Sequence, residues 1–178
     1  MSAASINDFK AQFLGGARPN LYQVIQPFPL LLGVPVATEK LKFFCKGFEL
    51  PGISTNPIEV PYMGRQLKVA GDRTFDDVTM TVINDLDFTI RNTFERWSNL
   101  INGHERNQGT LNPADYQVDT VVNQLDRDGN ILKSYILIGT FPTSISNIDL
   151  AYDSNDTVEE FTVSFSYQYW VDPINGIV

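Results

Sequence analysis

The clearest pattern lies near the end of the chain. Phe161, Val163, Phe165, Tyr167 and Tyr169 alternate with Glu160, Thr162, Ser164, Ser166 and Gln168. Successive side chains of a strand point to opposite faces, so this segment predicts a strand with one apolar and one polar face. Phe75 to Ile83 repeats the pattern, with Val78, Met80 and Val82 on one side and Asp77, Thr79 and Thr81 on the other. Further strands are predicted at Leu21–Ile25, Lys40–Phe48, Tyr116–Leu125 and Ile131–Ile138, and Arg127-Asp128-Gly129-Asn130 between the last two is a hairpin-turn signal. One stretch has a different period. Ile90, Phe94, Trp97 and Ile101 recur at spacings of 4, 3 and 4, which predicts an amphipathic helix over Leu86–Ile101. Asn84 and Asp85 offer capping side chains before it, and Gly103 closes it. A shorter helix is predicted over Ser5–Leu14, from Ile6, Phe9, Phe13 and Leu14, ended by Gly15-Gly16. Pro27, Pro29 and Pro35 imply an irregular segment. The fold class that follows is mainly β: an antiparallel β-sandwich or barrel with one flanking α-helix.

One region resists this reading. From Leu50 to Asp72 the chain is punctuated by Pro51-Gly52, Pro57, Pro61, Gly64 and Gly71, with short extended pieces at Ile58–Val60 and Gln66–Ala70. It also holds Ile53, Ile58, Val60, Tyr62, Met63, Leu67 and Val69, too much apolar surface for a solvated linker. Long irregular segments inside a compact domain are commonly functional. The reading is an extended arm that packs on something, with another subunit as the leading choice and its own domain as the alternative.

Composition bounds the rest. The chain has 178 residues, enough for one domain (1–178), divided into an N-terminal segment 1–16, the arm 50–72, the helix 86–101 and a tail 171–178. With 43% hydrophobic and 19% charged residues it is not a disordered acidic tail. The net charge of −8 opposes any role that grips nucleic-acid phosphates, since that grip comes from Lys and Arg displacing counterions. A single cysteine, Cys45, excludes an intramolecular disulfide and favours a reducing compartment. The first 13 residues lack the pattern of a signal peptide, and the longest apolar stretch, Phe28–Val36, is interrupted by prolines and far shorter than the ~20 residues a membrane helix needs.

Candidate chemistry is sparse. The one histidine, His104, lies in a polar loop, and Cys45 lies in a strand-like segment. No nucleophile elbow, CxxC pair, HExxH helix or P-loop is present. Asp126–Asn130 has its glycine too early for a calcium loop and lacks the closing glutamate. Asp76 and Asp77 are strand neighbours on opposite faces and cannot share a proton. Catalytic, metal and cofactor sites are therefore not expected, nor a small-molecule substrate. Apolar surface in a loop, rows of hydroxyls on strands and acidity describe a binding or assembly protein rather than an enzyme.

Several collinear blocks sharpen this. They are Ala17-Arg18-Pro19-Asn20-Leu21 with Gln23-Val24; Leu50-Pro51-Gly52; Val69-Ala70-Gly71-Asp72-Arg73-Thr74-Phe75-Asp76-Asp77 continuing through Thr79, Thr81-Val82 and Asn84-Asp85, with Arg91, Phe94 and Trp97 in register; Phe141-Pro142-Thr143; and Leu150, Asp153-Ser154-Asn155, Phe161 and Tyr169-Trp170. Together they resemble the tail tube family of contractile-tailed, T4-like bacteriophages over Ala17–Trp170. The chain departs from the family between Pro27 and Lys40, where it is longer and proline-rich, and after Trp170.

The resemblance implies hexameric rings stacked into a hollow tube, a virion component assembled in the host cytoplasm. Its implied partners are further copies of itself, a tail sheath protein, baseplate proteins, a tape-measure protein, a tail terminator and double-stranded DNA in transit. A tube of a contractile secretion system or tailocin is a related alternative, and a monomeric ligand-binding β-barrel is one of a different class. Physical reasoning agrees with the tube. About ten strands from one chain, at ~4.8 Å spacing and ~40° tilt, would close at roughly 20 Å between backbones, a core that side chains fill. A bore wide enough for DNA needs strands from several chains, and ring closure also removes exposed sheet edges. Ile53, Ile58, Val60, Tyr62, Met63, Arg65, Leu67, Val69, Arg73 and Asp76 are the expected inter-subunit contacts, with pairing of Arg73 inside its own chain the alternative. Asp77, Thr79, Thr81, Asp119, Asn123, Glu160, Thr162, Ser164 and Ser166 are candidates to face the bore, or else the outer tube surface.

Overall fold

The computed structural model describes residues 6–13 and 16–176. The alternating segments form strands in antiparallel order: β1 (Tyr22–Ile25), β6 (Val118–Leu125), β7 (Ile131–Ile145), β8 (Glu160–Ser166), β5 (Val78–Ile83) and β2 (Cys45–Phe48), with β9 (Tyr169–Val171) paired to β7. β7 is the long element that joins the two halves of this path. Its first part pairs with β6 and β9, through Val121↔Ile136 and Leu137↔Trp170, and its last part pairs with β8, through Phe141↔Ser166. Gly139 stands between them at φ +67°, a backbone conformation that favours glycine. The two ends of the path approach one another, since the Tyr22 hydroxyl on β1 donates to the carbonyls of Lys46 at 2.6 Å and Cys45 at 3.1 Å on β2.

The 3.6-residue pattern gives helix α3 (Thr89–Ile101). Ile90, Phe94 and Trp97 are fully buried, and Phe94 makes edge contacts with Phe161 and Phe165 of β8 at 6.3 and 5.9 Å between ring centres. Phe28 closes the cluster against Phe94 and Trp97. The Trp97 indole N–H donates to the Tyr116 carbonyl at 2.8 Å, so the ring is buried without an orphaned donor. Aromatic rings thus pack helix against sheet, and Met80, Val82, Ile90 and Val163 fill the core around them.

The helix begins three residues later than its pattern suggested. Leu86–Phe88 form a turn in which the Phe88 N–H bonds the Asp85 carbonyl at 2.9 Å, and Phe88 takes φ +52°. Asp85 still caps the helix, accepting from the Ile90 N–H at 3.3 Å.

The irregular segment expected after Pro27 contains instead a short 3-10 turn at Leu30–Leu32 and helix α2 (Pro35–Phe44), so the strand expected over Lys40–Phe48 is strand only from Cys45. Pro35 occupies the first helical turn, where its fixed φ and missing N–H do no harm. Ala37 and Leu41 are buried one turn apart. Lys40 of α2 bonds Asp85 at 3.0 Å and Asp87 at 3.1 Å, which ties the two helices together. Helix α1 (Ile6–Phe13) matches its expected position; Ser5, Leu14 and Gly15 lie outside the described residues.

Asp85 provides a test of this helix junction. Its burial would raise the carboxyl pKa, but the hydrogen bonds from Lys40 and Ile90 outweigh burial and hold it below the usual carboxylate value. A depressed folded pKa means the contribution is present above the unfolded pKa, near 4, and is lost as pH falls through the folded value. Asp85→Asn keeps an acceptor for the helix cap and loses the ion pair, with an expected cost of about 1–3 kcal/mol at pH 7. Denaturant melts at pH 7 and pH 3 check this: the gap to wild type should narrow at pH 3, and an unchanged gap would contradict it.

Candidate functional site

The segment expected to be an irregular arm is a long regular hairpin. β3 (Ser54–Tyr62) pairs with β4 (Arg65–Thr74) as a separate two-stranded sheet. A two-residue turn joins them, with Met63 at φ +45° and Gly64 at φ +79°. Two central residues with positive φ match the twist of the strands, which is the type I′ hairpin condition. With two residues in the turn, Tyr62↔Arg65 is a bonded pair, and Pro57, Glu59 and Pro61 fall at positions whose N–H would point away from the partner strand. The prolines therefore cost the ladder nothing.

The register sorts the hairpin into two faces. Ile58↔Val69, Val60↔Leu67 and Tyr62↔Arg65 lie on one, and Pro57↔Ala70, Glu59↔Lys68 and Pro61↔Gln66 on the other. The second face is mixed, with Lys68 and Glu59 3.5 Å apart between Pro57, Ala70, Pro61 and Gln66. The first is almost wholly apolar, yet Ile58, Val60, Tyr62, Leu67 and Val69 are all exposed, and Met63 at the tip is 87% exposed. The two strands pack on each other and, among the described residues, on no other element to any extent. An isolated two-stranded hairpin is marginal in water, and one with an uncovered apolar face more so.

At the root the chain bends. Gly71 and Asp72 together oppose Asn56, a bulge, and a Cβ on Gly71 would meet the Asn56 carbonyl oxygen at 2.5 Å. Ile53 at the root is also exposed. Arg73, Asp76 and Asp77 at the exit are exposed, and Arg73 and Arg65 make no ion pair among the described residues. Burial and then the charges of Asp76 and Asp77 push the Tyr167 hydroxyl up to about 12.

A second surface is built from strand faces. Thr79↔Ser164 and Thr81↔Thr162 pair across β5 and β8, opposite the core residues Val78, Met80, Val82, Phe161, Val163 and Phe165. Ser166 and Glu160 end the row on β8, and Asp77 lies just before β5, 3.5 Å from the Thr143 hydroxyl. Strand pairing thus gathers seven of the nine candidate bore residues on one face. Glu160 is neutralised by Lys46 of β2, 2.5 Å away. Thr143 and Ser144 join the face because β7 runs on past Ile138 and its register against β8 shifts between Pro142 and Ser144.

Two candidates do not belong there. Asn123 is only 6% exposed, and its Oδ1 accepts from the Ser134 hydroxyl at 2.8 Å across β6 and β7, so it is a satisfied interior residue. Asp119 lies on β6, where its Oδ1 accepts from the Gly139 N–H at 3.0 Å. Elsewhere, His104 is exposed beyond α3, and burial pushes the half-buried Cys45 thiol up to about 11. Among the described residues no group of three or more His, Cys, Asp or Glu could hold a metal, and no helix is long and apolar enough to cross a membrane.

Comparison with known proteins bears on these surfaces together. A family model described as phage tail tube protein matches residues 17–172. The chain is 34% identical over 168 residues to tail tube protein gp19 of Enterobacteria phage T4, covering 93% of this chain and 98% of that protein. It is 30% identical over 167 residues to the tail tube protein of Serratia phage KSP90, covering 92% and 94%. Its fold aligns with a chain of the sheath–tube complex of an extracellular contractile injection system, PVC, at TM-score 0.62 and 15% identity over 96% and 98% of the two chains. The tube-terminating cap of the anti-feeding prophage aligns at TM-score 0.62 and 16% identity over 88% and 89%. These two structures speak for the fold alone. The sequence match runs through the body, the hairpin and the hydroxyl face alike, and on that ground the chain belongs to the phage tail tube protein family.

Proposed function

We propose that this chain forms hexameric rings that stack into the inner tube of a contractile phage tail, and that the β3–β4 hairpin carries the contact between subunits. The observation that carries this is the uncovered apolar face of the hairpin in a chain whose family is a tube protein. Strands of nine and ten residues at ~3.3 Å per residue project about 30 Å, enough to cross a subunit boundary. Covering the exposed part of Ile58, Val60, Tyr62, Leu67 and Val69 is worth on the order of 5 kcal/mol per subunit. A contact between two different patches of one chain is heterologous, and it closes as a ring or propagates as a filament.

In this reading the face of Thr79, Thr81, Thr162, Ser164 and Ser166 lines the bore, with Asp77 and Glu160 at its margins. Hydroxyls and carboxylates offer no cations to DNA phosphates, and Lys46 is already held by Glu160. The net charge of −8 then suits a conduit through which DNA passes without binding tightly. Helices α2 and α3 lie across the core from this face and turn outward, toward a sheath. Baseplate, tape-measure and tail terminator proteins complete the set of partners, and the role is structural rather than enzymatic. The shared fold of the injection-system chain suits a related tube, while identity of 30–34% to phage proteins favours the phage form.

Electron microscopy of purified protein, seeded with baseplate if needed, tests the arm. Wild-type protein should give tubes. Replacing Asn56–Gly71 with a short turn should leave a folded monomer, somewhat lighter than the 20.0 kDa of the full chain. Tubes of normal appearance from the shortened chain would overturn the assignment.

A further inference from the structure

The hairpin tip carries its own recognition chemistry. Tyr62, Met63 and Leu67 are 69%, 87% and 62% exposed, and Arg65 beside them makes no ion pair among the described residues. A matching surface must combine an apolar wall with carboxylates that have no cation of their own. Three grooves on the body fail this condition. The one at Arg18 also holds Arg127, so two cations of its own would face Arg65. The one at Tyr22, Phe48 and Leu50 is lined by Lys46 and no carboxylate. The one beside α3, at Asn92, Arg96 and His104, has no apolar wall.

A fourth groove meets it. It lies between the segment after β1 and the start of β6, has a volume of about 620 Å³, and is lined by Phe28, Pro29, Leu30, Leu31, Asp115 and Asp119. Leu30 is 98% and Leu31 63% exposed, and neither Asp115 nor Asp119 has an ion-pair partner among the described residues. We propose that this groove receives the hairpin tip of a second copy of the chain, with Tyr62, Met63 and Leu67 against Leu30 and Leu31 and with Arg65 between Asp115 and Asp119. The inference rests on the hairpin being the inter-subunit contact and names the surface it meets. Tip and groove belong to the same chain and do not meet within it, so the contact repeats from copy to copy. The groove falls partly in the proline-rich stretch where the chain departs from the family pattern.

Cross-linking and charge exchange test it on tubes of the full chain. Met63→Cys with Leu31→Cys should give a ladder of disulfide-linked multimers under mild oxidant, while either single variant stays monomeric. The native Cys45 is half-buried with a raised pKa, so it contributes little thiolate at neutral pH. Arg65→Glu alone, or Asp115→Lys with Asp119→Lys, should lower the assembled fraction by more than about tenfold, because like charges then face each other. Combining all three should restore it. Normal tubes from the Asp115→Lys/Asp119→Lys chain, or tubes of the double-cysteine chain that yield no ladder, would overturn the groove assignment. The hairpin-shortened chain separates the two ideas. If it forms tubes, the arm reading itself falls; if it forms none while the groove tests fail, only the groove is wrong.

Discussion

Val60→Asp with Leu67→Asp is expected to give a folded, soluble monomer that forms no tubes. The two residues face each other across β3 and β4 at the centre of the apolar face, and both are already exposed in the single chain. Two carboxylates there cost the body nothing, because the hairpin packs on no part of it among the described residues. They would repel across the strand pair and would be desolvated in any interface, each at several kcal/mol. That exceeds the roughly 5 kcal/mol the covered face supplies. Sedimentation should show the pelletable fraction falling by more than a hundredfold, with circular dichroism and melting temperature unchanged. Glu59→Ala on the opposite face is the control and should change assembly little, since exposed ion pairs contribute about 0–1 kcal/mol. Assembly of the double aspartate variant at wild-type yield would remove the hairpin from the account.

The largest effect on the monomer is expected at Phe94. Its ring touches Phe28 of the segment after β1, Trp97 of its own helix, and Phe161 and Phe165 of β8. Removing it breaks the contact of α3 with the sheet and leaves a cavity at the centre of the core. Phe94→Ala should cost about 3–5 kcal/mol, or a fall in melting temperature of roughly 10 °C for a chain of this size. Phe94→Leu keeps most of the volume and should lose less than half as much. Denaturant melts of both variants would show it; a cost below 1 kcal/mol for Phe94→Ala would mean the aromatic cluster is not what joins helix to sheet.

How far the sequence was legible follows from which forces act locally. The strands at Val78–Val82 and Phe161–Phe165 could be read because each has one side in the core and one side out, so the period of 2 is written in the residues. Helix α3 was legible for the same reason at period 3.6. The hairpin was not recognised as regular because Pro57, Pro61 and Gly64 are breakers in most contexts. Here the prolines sit where no ladder bond is needed, and Met63-Gly64 takes the positive φ of a tight turn. Its apolar face alternates, but among the described residues no core of its own chain rewards that alternation. Helix α2 was missed because prolines on either side of Leu30–Leu32 suggested irregular chain, when Pro35 in fact opens a helix. Among the candidate bore residues, seven share a face because β5 and β8 pair in register. Asn123 lies off that face and is buried, because a polar residue in a strand need not face water when a neighbouring hydroxyl satisfies it.

The central claim is that the hairpin leaves its own subunit to be covered by another. A cryo-EM map of tubes assembled from this chain tests it most directly. The expected map has six-fold rings in which Ile58, Val60 and Leu67 are buried against a different copy and Thr79, Thr81, Thr162 and Ser164 face the bore. A tube in which the hairpin folds onto its own body or stands in solvent, or whose bore is lined mainly by lysine and arginine, would contradict it.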